Sequence, residues 1–139
     1  MAFYGKYSHG LDAKNRLFIP AKYRPELGDV FYIVPSCVDS HLMIYTQSRW
    51  DRLIADLNAH PDAKVEKLRR FFFSKSIDVS CDTHGRIILS PELIEYAKIK
   101  KGTIISGMGD YAEIWSEELW KEKVETVDLD ELRDIYAEL

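Results

Sequence analysis

One short stretch of this chain is written twice. Asp12-Ala13-Lys14-Asn15-Arg16 runs into Leu17-Phe18-Ile19-Pro20, and 70 positions later Asp82-Thr83-His84-Gly85-Arg86 runs into Ile87-Ile88-Leu89-Ser90-Pro91. The same offset of 70 matches Ile44-Tyr45-Thr46 to Ile114-Trp115-Ser116, and Trp50 to Trp120. Sequences that recur at a fixed period fold into like units that pack on one another, so any fold for this chain must accommodate a repeated half-domain. Each copy places one arginine directly after a tight turn.

The turn follows from its residues. Phe3–Tyr7 and Ile77–Cys81 read as outgoing strands, and each arginine opens an apolar return strand. A short hairpin loop commonly ends on a residue in the left-handed region, which Gly adopts freely and Asn tolerates. The matched positions are Gly85 and Asn15. Asp12 and Asp82 suit the opening position, where a carboxylate accepts hydrogen bonds from backbone N–H groups ahead of it. Asp12, Asp82 and Gly85 are therefore loop-structuring candidates. For Arg16 and Arg86, a structural bridge to the nearby aspartate competes with an outward binding role.

Around the loops the pattern reads as scaffold. Pro20 and Pro91 sit where short helices are expected, Ala21–Leu27 and Pro91–Ala97, since first-turn N–H groups have no helical partner to lose. Phe31–Val34, Leu42–Tyr45, Thr103–Ser106 and Tyr111–Trp115 read as further strands. Gly107-Met108-Gly109-Asp110 then forms a hairpin turn, because a strand rather than a helix follows it. Trp50, Leu53, Ile54 and Leu57 mark one face of a helix capped by Thr46, and Ser116 caps its counterpart, with Glu117 and Glu118 in the first turn. A linker helix over roughly Asp62–Ser74 carries Phe71, Phe72 and Phe73, which cannot all face one core. The tail from Val127 spaces Leu129, Leu132, Ile135, Tyr136 and Leu139 helically.

Charge is uneven along the chain. The total is −4, but residues 1–75 hold 12 Lys and Arg against 8 Asp and Glu, and residues 76–139 hold 7 against 15. Lys6, Lys14, Arg16, Lys22 and Arg24 crowd the first 24 residues against the single acid Asp12. A local basic patch attracts phosphate whatever the sign of the total. Cys37 and Cys81 have no partner at a metal or redox spacing, and Cys81-x-x-His84 finds no further ligands among the scattered His9, His41 and His60, so neither metal nor other cofactor is expected. Two free cysteines suit a reducing cytosol. No signal peptide opens the chain, and no apolar run approaches the ~18 residues of a membrane span.

These residues together resemble the MraZ family, within the AbrB-like swapped-hairpin superfamily. The resemblance is carried by Leu11–Pro20 (LDAKNRLFIP), Arg69–Ser74 (RRFFFS), Asp82–Leu89 (DTHGRIIL) and Glu113–Ser116 (EIWS), and covers residues 3 to 125. Asn15 departs from the family's usual Gly, Ser90 replaces a proline expected from Pro20, and the tail beyond Val127 lies outside the match. The resemblance implies an α+β fold, a duplicated AbrB-like swapped-hairpin β-barrel with short helices after each repeat. Its expected parts are a first repeat over 1–58, a linker helix over 59–76, a second repeat over 77–125 and an acidic helical tail over 126–139. It also implies a ring homo-oligomer that binds short, G-rich direct repeats in double-stranded DNA upstream of its own division and cell-wall operon, in the cytoplasm at the nucleoid.

An arginine on a loop has the reach and the fork for guanine O6 and N7 in the major groove. Lys14 at the tip suits phosphate. The expected DNA-binding set is Arg16, Lys14, Asn15, Arg86 and Lys6, with Arg16 leading. An enzyme is not expected, nor a small-molecule substrate: there is no G-x-S-x-G, Walker loop or H-E-x-x-H. A protein-interaction scaffold using the aromatic segment and the tail is the principal alternative. An AbrB-class antitoxin fits less well, since such proteins usually carry one copy of the unit.

Overall fold

A computed structural model describes residues 2–139, an α+β fold in which most of the sheet is antiparallel. The first part of the chain runs β1 (Lys6–Gly10), β2 (Arg16–Phe18), α1 (Arg24–Leu27), β3 (Phe31–Pro35), β4 (Leu42–Tyr45), α2 (Gln47–Asn58) and α3 (Ala63–Lys75). It continues with β5 (Ile77–Val79), β6 (Arg86–Ile88), α4 (Pro91–Tyr96), β7 (Gly102–Gly107), β8 (Ala112–Ser116), α5 (Glu117–Lys123) and α6 (Leu129–Ala137). Six strands form one sheet in the order β1-β7-β8-β4-β3-β5, and β2 and β6 form a separate ribbon.

This sheet corrects the expectation of a barrel. It is open, with β1 and β5 as its edges. The reason lies in the segments that follow those edges. β2 does not return along β1, nor β6 along β5; the two return strands pair with each other, Arg16 opposite Ile88, Leu17 opposite Ile87 and Phe18 opposite Arg86. Two further bonds extend the exchange, from Ile19 N–H to Gly85 C=O at 2.9 Å and from Leu89 N–H to Asn15 C=O at 2.9 Å. The turns expected as simple hairpins therefore join strands of different sheets.

Alternation explains where the ribbon sits. Strand side chains point to opposite faces with period two. Leu17 and Ile87 face inward and are fully buried, together with Ile19 and Leu89 just beyond. They join Phe31, Ile33, Leu42, Ile44, Ile105 and Ile114 in the main core. Burying a Leu or Ile side chain is worth about 1.5–3 kcal/mol, so the ribbon is anchored through its inner face. A second cluster, with Val34, Tyr45, Leu57 and Phe72, lies under α2 and α3. A third, with Ile104, Trp115 and Trp120, lies under α5.

Several boundaries move for local reasons. Phe3 forms only an isolated bridge to Gly109, and the strand begins at Lys6 because Gly5, at φ 89°, turns the chain between them. α1 starts at Arg24 rather than Ala21, since Pro25 has no N–H to give the Ala21 carbonyl. Ser90 has a clear role where proline was expected: its Oγ accepts from Leu93 N–H at 3.2 Å and caps α4. The caps Thr46 and Ser116 form as expected. The three phenylalanines divide as their spacing requires. Phe72 is buried, Phe71 meets the Tyr96 ring at 5.7 Å, and half-exposed Phe73 meets Trp50 at 5.8 Å.

The two parts are also clasped across β4 and β8. His41 Nε2 lies 2.8 Å from Glu113 Oε2, Trp115 Nε1 donates to Glu113 Oε1 at 2.9 Å, and the His41 ring stacks on Trp115 at 4.3 Å. Burial alone would push the Glu113 carboxyl up, but the hydrogen bonds from His41 and Trp115 outweigh it and hold the group below its ordinary value.

Candidate nucleic-acid interface

Both turns are built by one device. Asp12 Oδ1 accepts from the N–H groups of Lys14 and Arg16, each at 2.9 Å, and Oδ2 accepts from Arg16 Nε at 2.6 Å. Asp82 repeats the arrangement with His84 N–H and Arg86 N–H at 2.9 Å and Arg86 Nε at 3.1 Å. The fourth residues have the expected positive φ, 60° at Asn15 and 77° at Gly85. Carboxylates so bonded resist protonation. The Arg16 backbone N–H is the largest cause of a depressed Asp12 pKa of about 2, and the Arg86 N–H likewise lowers Asp82.

These bonds aim the arginines without consuming them. Each aspartate holds the inner Nε of its guanidinium, and the terminal NH2 groups of Arg16 make no hydrogen bond among the described residues. Because Leu17 and Ile87 face the core, the register puts Arg16, Phe18, Arg86 and Ile88 on the outer face together. Both arginine side chains are 29% exposed, and Arg86 Nη1 lies 3.8 Å from Asp12 Oδ2, so the two loops meet. Beside them is an open, polar cleft of about 410 Å³ lined by Arg16, Asp78, Cys81, Asp82, Arg86 and Ile88. Ile88 stands out at 63% exposed.

Arg24 belongs to this surface and is absent from the candidates chosen by sequence. Its Nε donates to the Ile19 carbonyl at 3.0 Å and its guanidinium lies 4.8 Å from the Phe18 ring centre. There it covers Gly85, where any Cβ would collide with the guanidinium. At the position matching Arg24 the other copy has Ile94. Only its place in the basic N-terminal cluster pointed to Arg24.

The remaining candidates separate. Lys14 is exposed at the first loop tip, beside half-buried Asn15, and His84 takes the matching place in the second. Lys6 opens β1 at the end away from the loop and lies 4.0 Å from Glu125 Oε1. Cys81 and Cys37 are free thiols, and no cluster of three potential metal ligands occurs among the described residues. Among the described residues, no helix is long and apolar enough to cross a membrane.

The face is only mildly basic, with Arg16, Arg24, Arg86 and Lys14 set against Asp12, Asp78 and Asp82. It is poorly suited to clinging to any polyanion and better suited to recognising a defined donor and acceptor pattern. An immobilised guanidinium fork matches guanine O6 and N7, worth about 1–3 kcal/mol of discrimination.

Comparison with known proteins bears on this surface. The family model described as MraZ protein, antitoxin-like, matches residues 2–70 and 72–136, which carries the likeness into the tail, past Val127. The chain is 41% identical over 140 residues to the transcriptional regulator MraZ of Clostridium acetobutylicum, covering 99% of this chain and 98% of that one. It is 39% identical over 143 residues to the protein of the same name from Dictyoglomus thermophilum, with 99% and 97% covered. The corresponding protein of Carboxydothermus hydrogenoformans is 41% identical over 120 residues, with 85% and 83% covered.

Proposed function

The chain belongs to the MraZ family, and from that premise we propose that it is a transcriptional regulator whose β2–β6 ribbon binds DNA sequence-specifically. The observation that carries the reading is the shared outer face of Arg16 and Arg86, each with its Nε locked by an aspartate and its outer edge turned from the core. Arg16 reads a guanine edge, Arg86 reads or braces beside it, and Lys14 and Arg24 meet phosphate, with Asn15 shaping the first tip. Lys6 stays outside this contact set.

The exchanged pairing of β2 with β6 is, on this reading, the one-chain form of an AbrB-like swapped hairpin. The parts are a first repeat over 1–58, a linker over 59–76, a second repeat over 77–125 and a tail over 126–139. One ribbon makes too few contacts for operator specificity. A ring of copies facing direct repeats gains avidity without new contacts, provided the spacing matches. The target is double-stranded DNA upstream of the chain's own division and cell-wall operon, which places the protein in the cytoplasm at the nucleoid, as a regulator rather than an enzyme.

The test is binding to that upstream DNA against a scrambled duplex at several salt concentrations, with Arg16→Ala alongside at unchanged assembly mass. Preference for the upstream DNA should fall by roughly five- to 150-fold in the variant, since about 1–3 kcal/mol of discrimination rests on one fork. No preference by the native protein at any salt would defeat the reading and leave a protein-interaction scaffold in its place.

A further inference from the structure

α6 is an amphipathic helix whose apolar side is left uncovered among the described residues. Leu129, Leu132, Tyr136 and Leu139 follow at spacings of three, four and three, the arrangement that lines one helix face, and Ile135 lies beside them. All five are exposed, Leu132 least at 46%, and no residue of α6 is buried. Leu129, Leu132, Arg133, Tyr136 and Ala137 line a shallow apolar hollow.

α3 offers the opposite character. Its buried side, through Phe72, packs under β3 and α2, while Lys64, Leu68, Phe71 and Lys75 follow at spacings of four, three and four on another face. Leu68 is 39% exposed there, Phe71 is partly buried against Tyr96, and Lys67 flanks the row. Charge separates the helices cleanly. α3 carries Lys64, Lys67, Arg69, Arg70 and Lys75 against Glu66 alone, whereas Asp128–Leu139 carries Asp128, Asp130, Glu131, Asp134 and Glu138 against Arg133 alone.

We infer that α6 of one copy docks along the Lys64–Leu68–Phe71–Lys75 face of α3 on a second copy of this chain. The inference supplies the contact for the oligomer proposed above. The apolar rows meet, and the surplus charges, roughly a helix diameter apart, attract across about one Debye length at physiological salt. DNA is the poorer occupant of this α3 face, because Leu68 and Phe71 interrupt its lysines. Each chain carries one acidic helix and one basic face at different places, so the contact propagates from copy to copy and closes into a ring wherever two copies cannot engage both sites reciprocally.

The experiment weighs the assembly by light scattering, without DNA, at low and high salt. Native protein should have the mass of several chains and should dissociate partly as salt rises. Leu132→Asp with Ile135→Asp should reduce it to single chains; both residues are exposed, so the circular dichroism spectrum of the folded chain should not change. Lys64→Glu with Lys67→Glu should weaken the assembly, and adding Glu131→Lys with Glu138→Lys to that chain should restore it. A native single-chain mass overturns the inference, which is also the result expected if α6 folded onto its own α3. Unchanged mass in the Leu132→Asp, Ile135→Asp protein overturns it too, as does a Lys64→Glu, Lys67→Glu protein that keeps its mass but loses DNA. An intact assembly without operator preference defeats the DNA reading alone.

Discussion

Asp12 accepts three hydrogen bonds within five residues of chain, and this makes it the hinge of the first turn. Its folded pKa, about 2, lies below the ordinary carboxylate value. A group depressed in this way stabilises the fold above its unfolded pKa, ~3.9 for Asp, and loses that contribution as pH falls through the folded value. The Lys14 and Arg16 amide resonances should therefore hold steady from neutrality to pH ~4 and then move together, with a midpoint near the Asp12 pKa of about 2. A midpoint near 4 would mean that the carboxylate does not hold the turn. At this scale the sequence was readable, because Asp, Asn and Gly shape a turn through their own local chemistry. Arg24 was not, because its place is set by Phe18, Ile19 and the distant Gly85.

Three-residue strands declare a face but not a partner. The alternation in Arg16–Phe18 and Arg86–Ile88 shows that Leu17 and Ile87 point inward, yet it is equally compatible with return along β1 or pairing between the copies. The exchange is decided by the core, where Leu17 and Ile87 stand opposite each other beneath the outer arginines. Leu17→Ala and Ile87→Ala should each cost about 2–5 kcal/mol in denaturant unfolding, as buried large-to-small changes do. Because the two side chains share one site, the double variant should depart from additivity by 0.5 kcal/mol or more on the order of contacting pairs. Simple additivity would argue that the two return strands do not rely on each other. The barrel expectation failed for the same reason, since strand count is legible in sequence and the closure of strands is not.

For the molecule as a whole, the sign of the charge is a weak guide. On the proposed reading, a chain of net −4 would approach DNA through one restricted face and displace few counterions. If Lys14 and Arg24 are its phosphate contacts, the logarithm of affinity should fall against that of salt with a slope of roughly −2 per engaged chain, at about 0.9 per phosphate. Lys14→Ala should reduce the slope by about one and leave sequence preference intact, whereas Arg16→Ala should flatten the preference. A Lys14→Ala protein that loses preference with an unchanged slope would exchange their roles. The 70-residue period made the two matched turns visible from residues alone, and both close on a positive φ. The helical spacing of the tail was visible too, but not what it covers, because spacing describes one surface and never its complement.

The exchanged ribbon carries a consequence for how such a protein can sit on a duplex. Two identical arms related by a twofold axis favour palindromic sites, since turning the pair end for end changes nothing. Here the arms belong to one chain and have diverged: Lys14 corresponds to His84, Phe18 to Ile88 and Arg24 to Ile94. Reversing the ribbon in a groove would present different groups to the same bases. A ribbon that reads DNA as proposed would have polarity, and a row of them would suit sites that all point the same way along the duplex.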